Sequence, residues 1–437
     1  MLVAFPRPAL AHGLSGRLDL PVPRWLFVYG AATALLVSFV ALAVLWREPR
    51  LQEPKPHRPL PWQGLWRSVV IERGVRAISF ALFVLLVAAA FAGPDRGNIA
   101  PVLVFVWFWV GLAFAHAVFG NLWGTLSPWD TFARYLRFED ALRPYPKAWG
   151  VWPAALFLFA FTWVELVAPW APRPRPLGIA IVAYTIITIV GIVVFGRETW
   201  KRNGEAFAVY FGLLARISPL ARDEDGRLVA RPLLGGLPLV EPRPGLVAFV
   251  AVALGSTTFD GVSRTSLWFR MTAGLSGISV IIAGTLGLAV TILLVALAYS
   301  LAMGAAGRVA SARWHPLAVR FVHSLVPIAF AYVVAHYFSL LLIEGQQGLI
   351  YLSDPFGLGW NLLGTADWTV NLTIVSTTVI WYVQVAAIVS GHIEGVVLAH
   401  DRAVALFPPK VATRTQYALL AVMILFTAVG LLILSGG

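Results

Sequence analysis

The chain has 437 residues, 59% hydrophobic and only 12% charged, with a mean hydropathy of +0.78. A soluble globular domain carries roughly 25% charged residues, so this composition excludes a soluble enzyme and indicates a polytopic membrane protein. Cysteine is absent and only four methionines are present, which excludes disulfides, thiolate metal sites, iron–sulfur clusters and covalent haem attachment, and argues against a thioether copper path.

The first 24 residues precede the first apolar run and are expected outside the membrane. Within them "ALAHG", Ala9 to Gly13, has the small-x-small spacing of a signal-peptidase site, with residues 1–11 as a signal-peptide remnant, although the apolar segment before it is short for a signal h-region. About 20 apolar residues cross a ~30 Å hydrocarbon core as a helix. Ten runs approach that length, at 25–46, 77–93, 100–120, 149–170, 177–196, 246–259, 277–302, 320–343, 369–391 and 416–435. Strand-like alternation is lacking, so a transmembrane barrel is not expected. The whole of 1–437 reads as one all-α transmembrane domain, a polytopic helix bundle of about ten spans.

Basic residues fall in the alternate loops: 47–76, 121–148, 197–245, around Arg308 and Arg313, and from Arg402 to Arg414. All five lie on one side if the N-terminus is outside, which predicts a multi-pass protein of a bacterial cytoplasmic membrane with both termini external. The net charge of +12 then reports orientation, with the lipid bilayer as partner; nothing resembles a nucleic-acid motif, so no nucleic-acid partner is expected. Two stretches depart from the pattern. "EAFAVYFGLLARISPL", Glu205 to Leu220 in the 197–245 loop, is expected as an interfacial amphipathic helix. Pro244 to Asp260 is short and ends in "GSTTFDG", a candidate broken span of the kind that lines transporter sites.

Ionisable residues inside a membrane cost ~2.5–3.5 kcal/mol on insertion scales, which makes each a functional candidate. Toward the inner face lie His116, His323 and His392, expected at one depth, with Glu394, His400 and Asp401 just past the ninth span. These six are the candidate ligands of a divalent metal ion. His392 and His400 are eight residues apart, ~12 Å along a helix, so another helix must complete any such site. Pro327, four residues after His323, would also strip the His323 carbonyl of its helical donor. Toward the outer face lie Glu165, Asp260, His336 and Glu344, the candidate path for an ion or small-molecule substrate. In "GNLWGTLSPWD", Ser127, Pro128 and Asp130 read as a helix start.

"HGLSGRLDLPVPRW", "STTFDGVSRTSLW", "VAHYFSLLL", "LSDPFGLGW" and "GHIEGVVLAHDRA" together resemble a group of bacterial polytopic membrane proteins, common in actinobacteria, often labelled fenitrothion hydrolase. The resemblance covers most of the chain and implies organophosphate ester hydrolysis; it supplies no catalytic residues. Three functions stay open. Transport of an ion or small solute past the His/carboxylate groups is preferred. A membrane-embedded hydrolase of phosphotriester-like substrates would need a divalent ion with three converging ligands and an open position. A b-type haem protein would place His323 opposite His392.

Overall fold

The computed structural model describes residues 23–52, 58–61, 63–66, 68–138, 140–223 and 225–434. The signal-like stretch at Ala9–Gly13 and most of the N-terminal segment expected outside the membrane lie outside the described residues.

The chain forms an all-α bundle. Its principal helices are α1 Arg24–Leu45, α2 Val69–Ala92, α3 Ile99–Phe119, α4 Pro128–Tyr135, α5 Trp152–Leu166, α6 Pro174–Phe195, α7 Arg197–Asn203 and α8 Ala206–Leu214. They continue with α9 Leu246–Ser263, α10 Ile278–Ala310, α11 Trp314–Phe321, α12 Val326–Ile343, α13 Thr377–Leu406 and α14 Tyr417–Leu434. Among the described residues nine helical segments are long and apolar enough to cross a membrane, and α5 is a shorter apolar helix of 15 residues, about 22 Å long. Each of the ten apolar runs in the sequence therefore corresponds to a helix.

The basic loops meet on one face. Strands β1 Arg58–Pro59, β2 Leu220–Arg222 and β3 Leu228–Ala230 form a small antiparallel sheet in the order β1-β3-β2, which ties the 47–76 loop to the 197–245 loop. Arg402 at the far end of α13 donates to the Pro238 carbonyl at 2.6 Å. Buried Asp130 draws in Arg76 from α2, Arg134 from its own helix, and Arg197 and Lys201 from α7, at 2.8–3.0 Å. The expected helix start is present here: Ser127 caps α4 by accepting from the Asp130 N–H, with Pro128 in the first turn. Burial pushes the Asp130 carboxyl up, and Lys201, Arg134 and Arg197 more than offset this, holding it well below the usual carboxylate range.

Four elements differ from the sequence expectations. The Pro244–Asp260 segment is not broken; α9 runs unbroken for 18 residues and is mostly buried. The irregular span is α3, whose residues Val102–Gly111 wind as a π-helix, a form that recurs at functional sites. The Glu205–Leu220 stretch is no interfacial helix. Ala206, Phe207, Val209, Tyr210, Phe211, Leu213 and Leu214 of α8 are all buried, and a helix apolar on every side belongs inside a bundle. Glu205 caps it, accepting from the Phe207 and Ala208 N–H groups, Trp123 Nε1 and Tyr184 Oη. Finally, α13 starts at Thr377, capped by Ser376, and continues to Leu406, so His392, Glu394, His400 and Asp401 lie within it.

Helices α12 and α13 pack at the centre through small residues. A Cβ at Gly391 would stand 2.3 Å from Ala331 Cβ and 2.8 Å from the Pro327 carbonyl, and one at Gly395 would stand 2.8 Å from the Ser324 carbonyl. Gly391 and Gly395 form a G-x-x-x-G pair, the spacing that lets membrane helices approach backbone to backbone.

Candidate functional site

The GSTTFDG end of α9 carries a buried polar group. Asp260 is 3% exposed, and four turns of preceding helix set it about 21 Å from the Leu246 end, toward the face opposite the basic loops. Its Oδ1 accepts from Nε and Nη2 of Arg264 at 3.0 and 2.8 Å. Its Oδ2 accepts from Tyr337 Oη at 2.9 Å, and His336 Nε2 lies 2.7 Å from the same oxygen, without the alignment a hydrogen bond requires. Arg264 sits one turn further on and is exposed, carrying its charge toward the helix end as a basic side chain in lipid does. Glu165 on α5 lies within Coulombic range of both Asp260 and Arg264. The structure thus brings together Asp260, His336 and Glu165 of the expected path, and adds Arg264 and Tyr337. Glu344 stands apart, two turns past His336, about 12 Å along the axis, where it accepts from Gln347.

Beside His336 is a small crevice of ≈ 20 Å³ lined by Thr257, Thr258, Tyr332, His336, Ile388 and Gly430 among others. Room of that size holds a water molecule and little more. The Thr257 and Thr258 hydroxyls bond back to carbonyls of α9 itself, and Tyr332 donates to the Phe426 carbonyl at 2.7 Å.

The six candidate metal ligands do not assemble. Among the described residues no three His, Asp or Glu side chains are placed to hold a metal ion. Both ring nitrogens of His116 are engaged: Nδ1 is 2.6 Å from the Leu112 carbonyl, Nε2 accepts from the Trp123 N–H at 2.8 Å, and the ring stacks on Phe211 at 4.4 Å. His400 and Asp401 hold the chain that leaves α1. Asp401 accepts from Trp46 Nε1, the Arg50 and Leu51 N–H groups and Gln52 Nε2, while His400 Nε2 meets the Trp46 carbonyl at 3.0 Å and its Nδ1 meets the Gln416 amide. Glu394 is half-buried and points about 200° around the helix from His392.

His323 and His392 are different. Each sets Nδ1 against a backbone carbonyl, Arg320 at 3.0 Å and Ile388 at 2.8 Å. A carbonyl only accepts, so Nδ1 carries the hydrogen and Nε2 the lone pair. Both Nε2 atoms are buried, and among the described residues neither has a hydrogen-bond partner. They do not share one depth. Gly391 is level with Ala331 and Gly395 with Ser324, which sets His323 four to seven residues, about 6–10 Å, nearer the basic face than His392. The His323 carbonyl is not stripped of its donor either: residues Val322–Leu325 tighten to a 3₁₀ turn, and the Val326 N–H reaches it.

No protein-family model, characterised protein or solved structure matches this chain. The functional reading therefore rests on the site alone.

The sequence reasoning passed over Arg264 and Tyr337, each one turn or one residue from a residue it selected, and the G-x-x-x-G pair lying in plain view in "GHIEG". It also missed Asp130 as the hub of four basic side chains. Nothing in the sequence signals that hub, because its partners come from three separate helices.

Proposed function

We propose that this chain is a membrane transport protein that moves an ion or small solute past the Asp260–His336 group, with the basic loops cytoplasmic and α1 entering from outside, in a bacterial cytoplasmic membrane. The observation that carries the reading is a carboxylate, an imidazole and a tyrosine hydroxyl converging from two buried helices. Such a group is costly in lipid and marks substrate or ion pathways. The clustering of Arg and Lys loops on one face supports the orientation.

The hydrolase reading is carried by the sequence resemblance alone. It requires three converging ligands, and the candidate residues do not supply them. A haem between His323 and His392 would need both rings at one level, and they are offset.

Purified protein reconstituted on a solid-supported membrane tests the proposal. Concentration jumps of H⁺, Na⁺, K⁺, Mg²⁺ and phosphate should produce a transient current, above that of protein-free vesicles, for at least one of them. Silence across the panel, together with chelator-sensitive phosphotriester cleavage, would replace transport by hydrolysis.

A further inference from the structure

Among the described residues, six of the ten buried polar side-chain atoms without a hydrogen-bond partner form a series along α12, the 3₁₀ turn leading into it and α13; the other four belong to Arg197, Trp200, Arg243 and Arg402. From the far face inward the six are Trp381 Nε1, Gln384 Oε1, Ser339 Oγ, His336 Nε2, His392 Nε2 and His323 Nε2. All six residues are at least nine-tenths buried. With Gly391 level with Ala331, Ser339 falls beside Gln384, and His336 falls about six residues, or 9 Å, outward of His392. The contact of His336 and Ile388 with one crevice agrees with that register. His323 follows, about 6–10 Å beyond His392, and Arg402 at the basic face is within Coulombic reach of it. From Trp381 to His323 the series covers roughly 22–27 Å, most of the ~30 Å hydrocarbon core.

Unpaired polar atoms are expensive where no solvent can reach them. With His336 held against Asp260, five of them remain unpaired on two packed helices and the turn leading into one, spread over most of one membrane thickness, which is not how a bundle is assembled for packing. Their chemistry is also selective. His392 and His323 each present a lone pair at Nε2 with the tautomer fixed by a carbonyl, so each ring can take a proton and return it at the same atom. The crevice beside His336 admits water and excludes organic solutes. Tyr332 lines that crevice and lies edge-on to His392 at 6.0 Å between ring centres, so one side chain adjoins both the crevice and the next imidazole.

We infer that the cargo is the proton, relayed from the Asp260–His336 group through water to His392 Nε2 and then His323 Nε2 toward the basic face. In each step a hydronium O–H bond breaks to leave water, an Nε2–H bond forms to give imidazolium, and the same proton then leaves Nε2 for the next water, which becomes hydronium as the neutral ring is restored. This inference rests on the transport reading and specifies its substrate.

The test uses full-length protein in vesicles containing a trapped pH-sensitive dye, with a potassium gradient and valinomycin to set the potential. Wild-type vesicles should acidify faster than protein-free ones, and more slowly in D₂O. His392→Phe and His323→Phe keep a ring of similar size in each position and should slow proton entry by roughly 100-fold, the scale of a positioned proton-transfer group. Wild-type rates in both variants, with folding confirmed by the thermal transition of tryptophan fluorescence, would overturn the relay. If a variant does not fold, the wild-type rate decides: proton entry no faster than in protein-free vesicles, or unchanged by D₂O, refutes the inference. Current carried by another ion with no dye response would refute the proton as cargo while leaving transport standing; absence of any ion movement would remove both.

Discussion

His336 Nε2 lies 2.7 Å from Asp260 Oδ2, joining α12 to α9. The same oxygen takes the Tyr337 hydroxyl at 2.9 Å, so one carboxylate gathers two consecutive residues of the neighbouring helix. Tyr337→Phe removes that donor and keeps the ring. Loss of a hydrogen bond to a charged group costs about 1.5–3 kcal/mol, and the thermal midpoint followed by fluorescence of the 18 tryptophans should fall accordingly. An unchanged midpoint would mean the hydroxyl does not support Asp260.

The approach of α12 and α13 should be intolerant of a single methyl group. Gly391→Ala places a Cβ 2.3 Å from Ala331 Cβ, whereas Gly304 has nothing within 4 Å of its would-be Cβ. The first substitution should destabilise by about 1–3 kcal/mol through overpacking, and Gly304→Ala should be silent or mildly stabilising. Equal melting of the two variants would show that the helices do not meet at Gly391.

Asp401 should govern the exit of α1. Its carboxylate receives four side-chain and backbone donors from Trp46, Arg50, Leu51 and Gln52. Asp401→Ala leaves these donors without an acceptor, and trypsin should then cut after Arg47 or Arg50 several-fold faster than in wild type. Unaltered proteolysis would show that the loop is held by other means.

Acid should act through Asp130. Because its folded pKa is depressed, its contribution to stability is fully present above the ordinary carboxylate value of 3.8 and is lost as pH falls through that value toward the folded pKa. At pH 7, Asp130→Asn should cost about 3–5 kcal/mol, since it leaves buried cations uncompensated. The gap in melting temperature between wild type and variant should narrow below pH 3.8. A gap that stays constant would contradict the network.

Much of the architecture was legible because hydropathy reports length directly: a run such as 177–196 has one structural solution in lipid, and α6 adopts it. The Ser127–Pro128–Asp130 cap was legible because capping is local. Placement between helices was less so. His116 is satisfied by the Trp123 backbone seven residues on, a loop geometry that spacing does not encode. His392 and His323 occupy different levels because Gly391 and Gly395 fix the register of two helices, and the sequence read for charges alone hides it. The all-apolar face of Phe207, Tyr210 and Phe211 pointed to burial, and only its shortness suggested an interface.

The central claim is that the carboxylate at Asp260, and not ionisable residues in general, serves transport. The most direct measurement compares the reconstituted current of Asp260→Asn with that of Glu344→Gln, a carboxylate on the far side of His336 about 12 Å along the axis. The account predicts that Asp260→Asn loses the current, by roughly 100-fold, while Glu344→Gln retains that of wild type. Full current in Asp260→Asn, or equal loss in both, would contradict it.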